Sequence, residues 1–336
     1  MKGKLQAFAS SVLVLALAAL SAWAGQSQTG AKLAERGWQT FQNGDANDAK
    51  ASLTEAIRLS PRQPKYHAAL AEVELSLGDS QRAMHHYEIA CELDPSNTEV
   101  RSRLAQLYQS LNRDLDVLRI LRPPNPPEPL QSLWRFSRGV SLFRLGRLNA
   151  ARREFQPLVN HRDFEGPVNF FLGRIAYTQN RFDEALPFFA KAVRLSNSPT
   201  NKEFSSYAYN YGLALFRLGR FSEANEQFML STERYPLEPL AWMMRGRSDE
   251  ELKKYQAAID DYEESIKLDP KFELSYYHLA RLQQRYGDPK KAEELFKYLR
   301  ELRQSDIKEA QILAEEQALL RMKTGGSRAR TPVPAP

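Results

Sequence analysis

The chain has 336 residues, 42% of them hydrophobic and 26% charged, which is the balance of a folded, soluble protein. That length allows one to three ordinary domains or a single elongated array. The formal net charge is +6, and once Lys2 and Lys4 are set aside with the leader described next, the remaining excess is too dilute to imply nucleic acid as a partner.

The N-terminus reads as a secretory signal. Lys2 and Lys4 give a positive start, an apolar stretch runs from Val12 to Leu20, and Ala22-Trp23-Ala24 supplies the small-x-small pattern of a cleavage site. Residues 1–24 are therefore expected to be removed, leaving an exported protein with no integral span. The alternative is an uncleaved anchor over Ala7 to Ala24, but the apolar core is short for a span of about 20 residues. Cys91 is the only thiol, so no internal disulfide can form. Its helical neighbours make it a small buried apolar residue.

From Gly30 onward the sequence repeats with a period of 34 residues. Frames begin at Gly30, Pro64, Thr98, Ser132 and Gly166 and, after a five-residue insertion, at Ser205, Pro239 and Glu273. The eighth residue of every frame is small: Gly37, Ala71, Ala105, Gly139, Gly173, Gly212, Gly246 and Ala280. The twentieth is Ala49, Ala83, Val117, Ala151, Ala185, Ala224, Ala258 and Ala292. Four residues later stands a large apolar group: Leu53, Tyr87, Leu121, Phe155, Phe189, Phe228, Tyr262 and Phe296. Between the halves of each frame lies a turn residue: Gly44, Gly78, Asn112, Gly146, Asn180, Gly219, Lys253 and Gly287.

Each frame is expected to be two helices of about 13 residues joined by a tight turn. Gly or Asn at the turn takes the left-handed conformation that ends the first helix cheaply. The small eighth and twentieth residues let the helices approach closely, and the large residue fills the space beside the crossing. Pro61, Pro95, Pro129, Pro236 and Pro270 close five of the frames.

Two segments interrupt the array. Pro123-Pro124-Asn125-Pro126-Pro127-Glu128-Pro129 cuts short the second helix of the third frame without shifting the period. It reads as a stiff polyproline stretch packed along a continuous array, or else as a linker between residues 30–129 and 130–304. The insertion falls in the polar loop Ser196-Asn197-Ser198-Pro199-Thr200-Asn201. Asp306-Ile307-Lys308-Glu309 resembles a capping box, so residues 305–322 are expected to form a helix that covers the last repeat, with a disordered tail over 323–336.

On these motifs the chain resembles the tetratricopeptide repeat proteins over about Gly30 to Gln304. The best carriers are Leu172-Gly173-Arg174-Ile175-Ala176-Tyr177 with Asn180-Arg181-Phe182-Asp183-Glu184-Ala185, and Tyr211-Gly212-Leu213-Ala214-Leu215-Phe216 with Gly219-Arg220-Phe221-Ser222-Glu223-Ala224. Val117 departs from the expected Ala and Lys253 from the expected turn Gly. The resemblance implies an all-α, right-handed α-solenoid of about eight helix-turn-helix repeats whose first helices line a concave, peptide-binding face.

Sites for chemistry are sparse. His85 and His86 point roughly 100° apart on a helix and cannot jointly hold one metal. No HExxH, CxxC pair, Gly-x-Ser-x-Gly or phosphate-cradling loop occurs, and acidic pairs such as Asp260-Asp261 and Glu263-Glu264 read as solvated faces. The expectation is a non-enzyme with no cofactor and no metal.

The binding face carries more information. The second, fifth, ninth and twelfth residues of a frame form one helical stripe, flanked by the sixth and thirteenth. In frames four to eight these places hold Phe136, Phe143, Arg144, Phe170, Phe171, Arg174, Tyr177, Tyr209, Asn210, Phe216, Arg217, Met243, Met244, Arg247, Tyr277, His278, Arg281 and Arg285, against only Glu250 and Glu251. Arg forks bind carboxylates bidentately and aromatics give large contact area, so acidic or extended protein segments are the expected ligands. The aromatics serve equally as packing between repeats. Some family members grip a terminal carboxylate with Lys and Asn. Here Phe170 and Arg174 stand in those places and Asn210 matches, but Leu240 and Met244 replace the basic residues. The expected role is an exported scaffold in a bacterial envelope complex. A glycan- or polymer-binding export factor and an accessory subunit of an envelope enzyme are the alternatives.

Overall fold

A computed structural model of the chain describes residues 28–196 and 202–304. The leader at 1–24, the capping segment at 305–322 and the tail at 323–336 lie outside the described residues. Among the described residues there is helix and turn but no strand, and no helix is long and apolar enough to cross a membrane. They form two compact units that part between Phe164 and Glu165.

The first unit holds α1 (28–42), α2 (Ala46–Leu59), α3 (Pro64–Ser76), α4 (Ser80–Leu93), α5 (Thr98–Ser110), α6 (Asp114–Ile120), α7 (Leu130–Arg144) and α8 (Leu148–Phe155). The second holds α9 (Glu165–Thr178), α10 (Phe182–Leu195), α11 (Lys202–Arg217), α12 (Phe221–Arg234), α13 (Pro239–Glu251), α14 (Tyr255–Leu268), α15 (Glu273–Tyr286) and α16, described over 289–304. Each odd-numbered helix and its successor make one frame, so the architecture is the expected all-α solenoid of helical hairpins.

The period has a direct structural cause. Every alanine at the twentieth position, and Val117 in its place, is buried. The eighth and twenty-fourth residues meet. A methyl group added at Gly139, Gly173, Gly212 or Gly246 would come within 3 Å of the ring of Phe155, Phe189, Phe228 or Tyr262, and one at Gly37 would meet Leu53. The glycine on the first helix therefore makes room for a ring on the second. These rings are fully buried, and around them grow the cores: Tyr87, Leu104, Tyr108 and Trp134 in the first unit, Phe228, Met244, Tyr262 and Leu279 in the second.

At the turns, Gly44, Gly78, Gly146 and Gly219 are left-handed, with φ from 70° to 95°. Asn112, Asn180 and Lys253 take the same conformation at φ 56°, 58° and 60°. Gly287 departs from the expectation, with φ −131° and ψ −130°. There the Gln283 side chain accepts from the Asp288 amide at 2.9 Å and closes the helix end instead.

Two further corrections and one addition emerge. The second helix of frame four is not a full helix: α8 ends at Phe155 and tightens into a 3-10 turn over Gln156–Leu158, because Pro157 supplies no amide hydrogen. Asp261 is not a solvated carboxylate. It is 3% exposed and accepts from Arg245 Nε at 2.8 Å, with a second contact through the other guanidinium nitrogen. The same offsets pair Arg138 with Glu154 in frame four. Finally, the early stop of α6 leaves carbonyls that two buried arginines satisfy. Arg101 donates to the Ile120 and Arg122 carbonyls, and Arg138 to the Leu121 carbonyl and the Asn125 side chain. Cys91 is buried as expected, and burial raises its thiol pKa to about 11.

Candidate functional site

In the second unit the first helices α9, α11 and α13 wall a cleft of about 460 Å³. Arg174 and Tyr177 reach it from α9, Ser206, Tyr209 and Asn210 from α11, and Leu240 from α13, with Glu238 at the edge. Four residues of the expected stripe thus share one cavity. Asn210 donates its amide to the Ser206 carbonyl of its own helix at 2.7 Å, which leaves its oxygen as the outward acceptor. The Tyr209 hydroxyl is held protonated, first by burial and then by Tyr177 and Glu238. Arg174 is half-buried, and desolvation lowers its pKa.

Beside this cleft the arginines stack on rings. Arg217 lies 4.7 Å from the centre of Phe182, and Arg247 lies 4.8 Å from that of Phe216, each reaching back to the preceding repeat. Arg174 sits 5.8 Å from Phe170, and Arg281 sits 5.6 Å from the exposed Tyr277. Stacking holds a guanidinium plane flat and leaves its N–H edge available for a carboxylate. Among the described residues, Arg217, Arg247 and Arg281 have no ion-pair partner. Near them, Glu250 accepts from the Tyr262 hydroxyl at 3.0 Å. Burial, then Arg247 and Arg281, lower the His278 pKa to about 4.

Other members of the stripe are placed differently. Phe170 and Met243 are 8% and 3% exposed and belong to the core, so they support the cleft from behind rather than line it. Phe216 is half-buried under Arg247 and edge-on to Phe221. Phe136, Phe143 and Arg144 fall in the first unit. There Phe136 stacks on Phe164 at 5.1 Å, Phe143 is half-buried, and Arg144 is engaged by the Gln109 carbonyl at 3.2 Å and by Asp114 at 3.8 Å.

The first unit has a cleft of its own, which the sequence reading missed. It measures about 470 Å³ and is floored by Ala31, Ala34, Ala68 and Ala69, with Trp38, Tyr66 and Val100 as apolar walls. Glu35, Lys65, Glu72, Glu99 and Arg103 ring it. Most of these residues occupy the second, fifth, sixth and ninth places of frames one to three. The stripe already used for frames four to eight would have found them, had it been carried back to Gly30.

Comparison with known proteins agrees with the repeat fold. A family model described as tetratricopeptide repeat matches residues 35–98, 136–202 and 209–271. The human protein O-mannosyl-transferase TMTC1 is 25% identical over 70% of this chain and 26% of its own length. The TPR repeat-containing protein YpiA of Bacillus subtilis is 23% identical over 78% of this chain and 60% of its own. The chain thus spans between about a quarter and three fifths of these relatives. A solved tetratricopeptide repeat protein from Parabacteroides merdae, 17% identical, superposes with a TM-score of 0.53 over 77% of this chain and all of the other.

Proposed function

The chain belongs to the tetratricopeptide repeat family, and from that premise we propose that it is an exported, non-catalytic scaffold that holds acidic, extended segments of partner proteins in its second unit. The observation that carries this reading is the stacking of Arg217 and Arg247 on rings of the preceding repeats, with no ion-pair partner among the described residues. Two successive repeats then offer the same fork, so an extended segment can meet one after another. Tyr177, Tyr209 and Asn210 add contact area and a hydrogen-bond acceptor in the adjoining cleft. Export rests on the leader-like residues 1–24, and the Ala- and Leu-rich character of that leader suits a bacterial envelope complex.

A glycan- or polymer-binding export factor is the second reading. It is favoured by Tyr277 and Tyr286, 40% and 51% exposed, the latter stacked on Tyr255 at 3.9 Å. Retention on soluble polysaccharide separates the two, and stable co-purification with a catalytic chain would instead mark an accessory subunit.

The test is crosslinking in the native cell, followed by binding measurements with the captured partner. Arg217 is exposed, so Arg217→Glu should leave folding intact, because surface substitutions usually stay within about 0.5 kcal/mol. The variant should bind about tenfold more weakly, and the loss should shrink as salt is raised. Undiminished binding would remove the arginines from the site. Arg174→Glu is the less clean variant, since Arg174 is half-buried and its reversal disturbs packing as well.

A further inference from the structure

The two clefts have opposite chemistry. In the second unit the stripe carries large aromatics and arginines, of which Arg217, Arg247 and Arg281 have no ion-pair partner among the described residues. At the second and fifth places of frame one, and the fifth and sixth of frame two, it carries alanines instead, and they floor the cavity of about 470 Å³. A cavity of that size with an apolar floor suits insertion of a side chain. Trp38, 39% exposed on its wall, is the residue type that most often anchors an interface.

The rim decides what accompanies that side chain. Glu72 is occupied by Arg103 at 3.3 Å. Glu35 and Glu99 are exposed, and neither has an ion-pair partner among the described residues. Lys65 is the one unpaired cation among the lining residues. Carboxylates therefore outnumber cations among the free charges. Deeper in, Tyr87 is 1% exposed and lines the same cavity. Its hydroxyl faces Glu72, and burial followed by that carboxylate holds it protonated.

We propose that the cleft between α1, α3 and α5 is a second binding site, which takes a protein segment presenting one apolar side chain of Leu, Met or Phe size flanked by Lys or Arg. This goes beyond the acidic-segment reading of the second unit and does not depend on it.

The experiment titrates the full chain with a labelled Gly-Ser peptide carrying one Leu flanked on each side by Lys. The same peptide with Glu flanks, and one with Ala in place of Leu, serve as comparisons. The Leu/Lys peptide should bind about tenfold or more tighter than either, the worth of one buried aliphatic group or one charge complement. Ala31→Leu fills the cavity from an exposed position and should weaken that peptide about tenfold at unchanged melting temperature. Glu35→Lys combined with Glu99→Lys should invert the flank preference.

Several results overturn the proposal: no binding of the Leu/Lys peptide, equal binding of the Glu-flanked one, or indifference to Ala31→Leu. So does displacement by phosphatidylcholine vesicles, which would make the occupant a lipid, or self-association abolished by Ala31→Leu, which would make it a second copy. Arg217→Glu, run alongside, should leave the Leu/Lys peptide untouched. If acidic peptides fail on the unaltered protein while the Leu/Lys peptide binds, the reading of the second unit falls and this one stands.

Discussion

Gly173 is where the fold can be tested most sharply. A Cβ placed there would lie 2.7 Å from both Cδ1 and Cε1 of Phe189, a ring with no exposure to solvent. Gly173→Leu adds that atom and three more to a closed contact. Overpacking costs about 1–3 kcal/mol, and the direct clash with a fully buried ring puts this case at the upper end. Replacing Gly inside a helix returns about 1 kcal/mol of helix propensity, so the net loss should be about 2 kcal/mol. Phe189→Ala alone should cost about 3–5 kcal/mol through the cavity it leaves. Combined, the new leucine can occupy the vacated ring volume, and the double variant should be at least about 1 kcal/mol more stable than the sum of the singles. The assay is guanidinium unfolding followed by helical circular dichroism. Midpoint and slope are compared for all four proteins, because repeat arrays can lose two-state behaviour. Additivity within about 0.5 kcal/mol, or a neutral Gly173→Leu, would mean that the eighth and twenty-fourth residues do not meet and that the frame assignment is wrong.

Three other outcomes follow from the packing. Lys253 is held at φ 60°, where a side chain costs about 1–2 kcal/mol that glycine avoids, so Lys253→Gly should raise the unfolding free energy by about 1 kcal/mol, and a fall would show that the lysine side chain stabilises the turn by contacts. Asp261→Ala leaves Arg245 without its buried partner and should cost about 3–5 kcal/mol, whereas replacing both by apolar residues of similar volume should cost far less; equal losses would deny the pair its coupling. Burial, then His67, His85 and Lys50, lower the His86 pKa from 6.5 to about 4, and burial with Arg247 and Arg281 does the same to His278. Both are neutral in the fold while the unfolded chain binds the proton more readily, so their contribution is full above pH 6.5 and is lost as pH falls toward about 4. Thermal melts across that window should show the decline, and His86→Asn with His278→Asn should flatten it.

Most of the fold was legible because a repeat states its constraints eight times. One glycine in a helix is ambiguous, but a small residue sixteen places before a large one in every frame identifies a contact, and the structure puts Phe155, Phe189, Phe228 and Tyr262 on the glycines so spaced. Even the exception at Lys253 kept the rule, since the turn imposes a left-handed residue whatever side chain it carries. What escaped was what one frame does alone. Asp261 is chemically indistinguishable from Asp260 in the sequence, and only the helix crossing decides which of the two reaches Arg245. The Gln283 side chain closes the end of α15 through a contact that no periodicity encodes.

The stripe of offsets led to the candidate faces but not to which of its residues line a cleft, and the reason is steric. A stripe of offsets says which residues share a side of a helix, yet whether they fill space or leave it depends on their size. Phe170 and Met243 sit at the expected places and are absorbed into the core, while the arginines beside them lie over rings. Charge and bulk drew attention to frames four to eight, and alanine drew none to frames one to three. Yet small residues on a helix face that neighbouring helices flank are what make a cavity, and Ala31, Ala34, Ala68 and Ala69 make one beneath Trp38. In a repeat protein, then, the offsets that define the binding face should be searched as carefully for missing side chains as for conspicuous ones, because a ligand can enter only where the repeat leaves room.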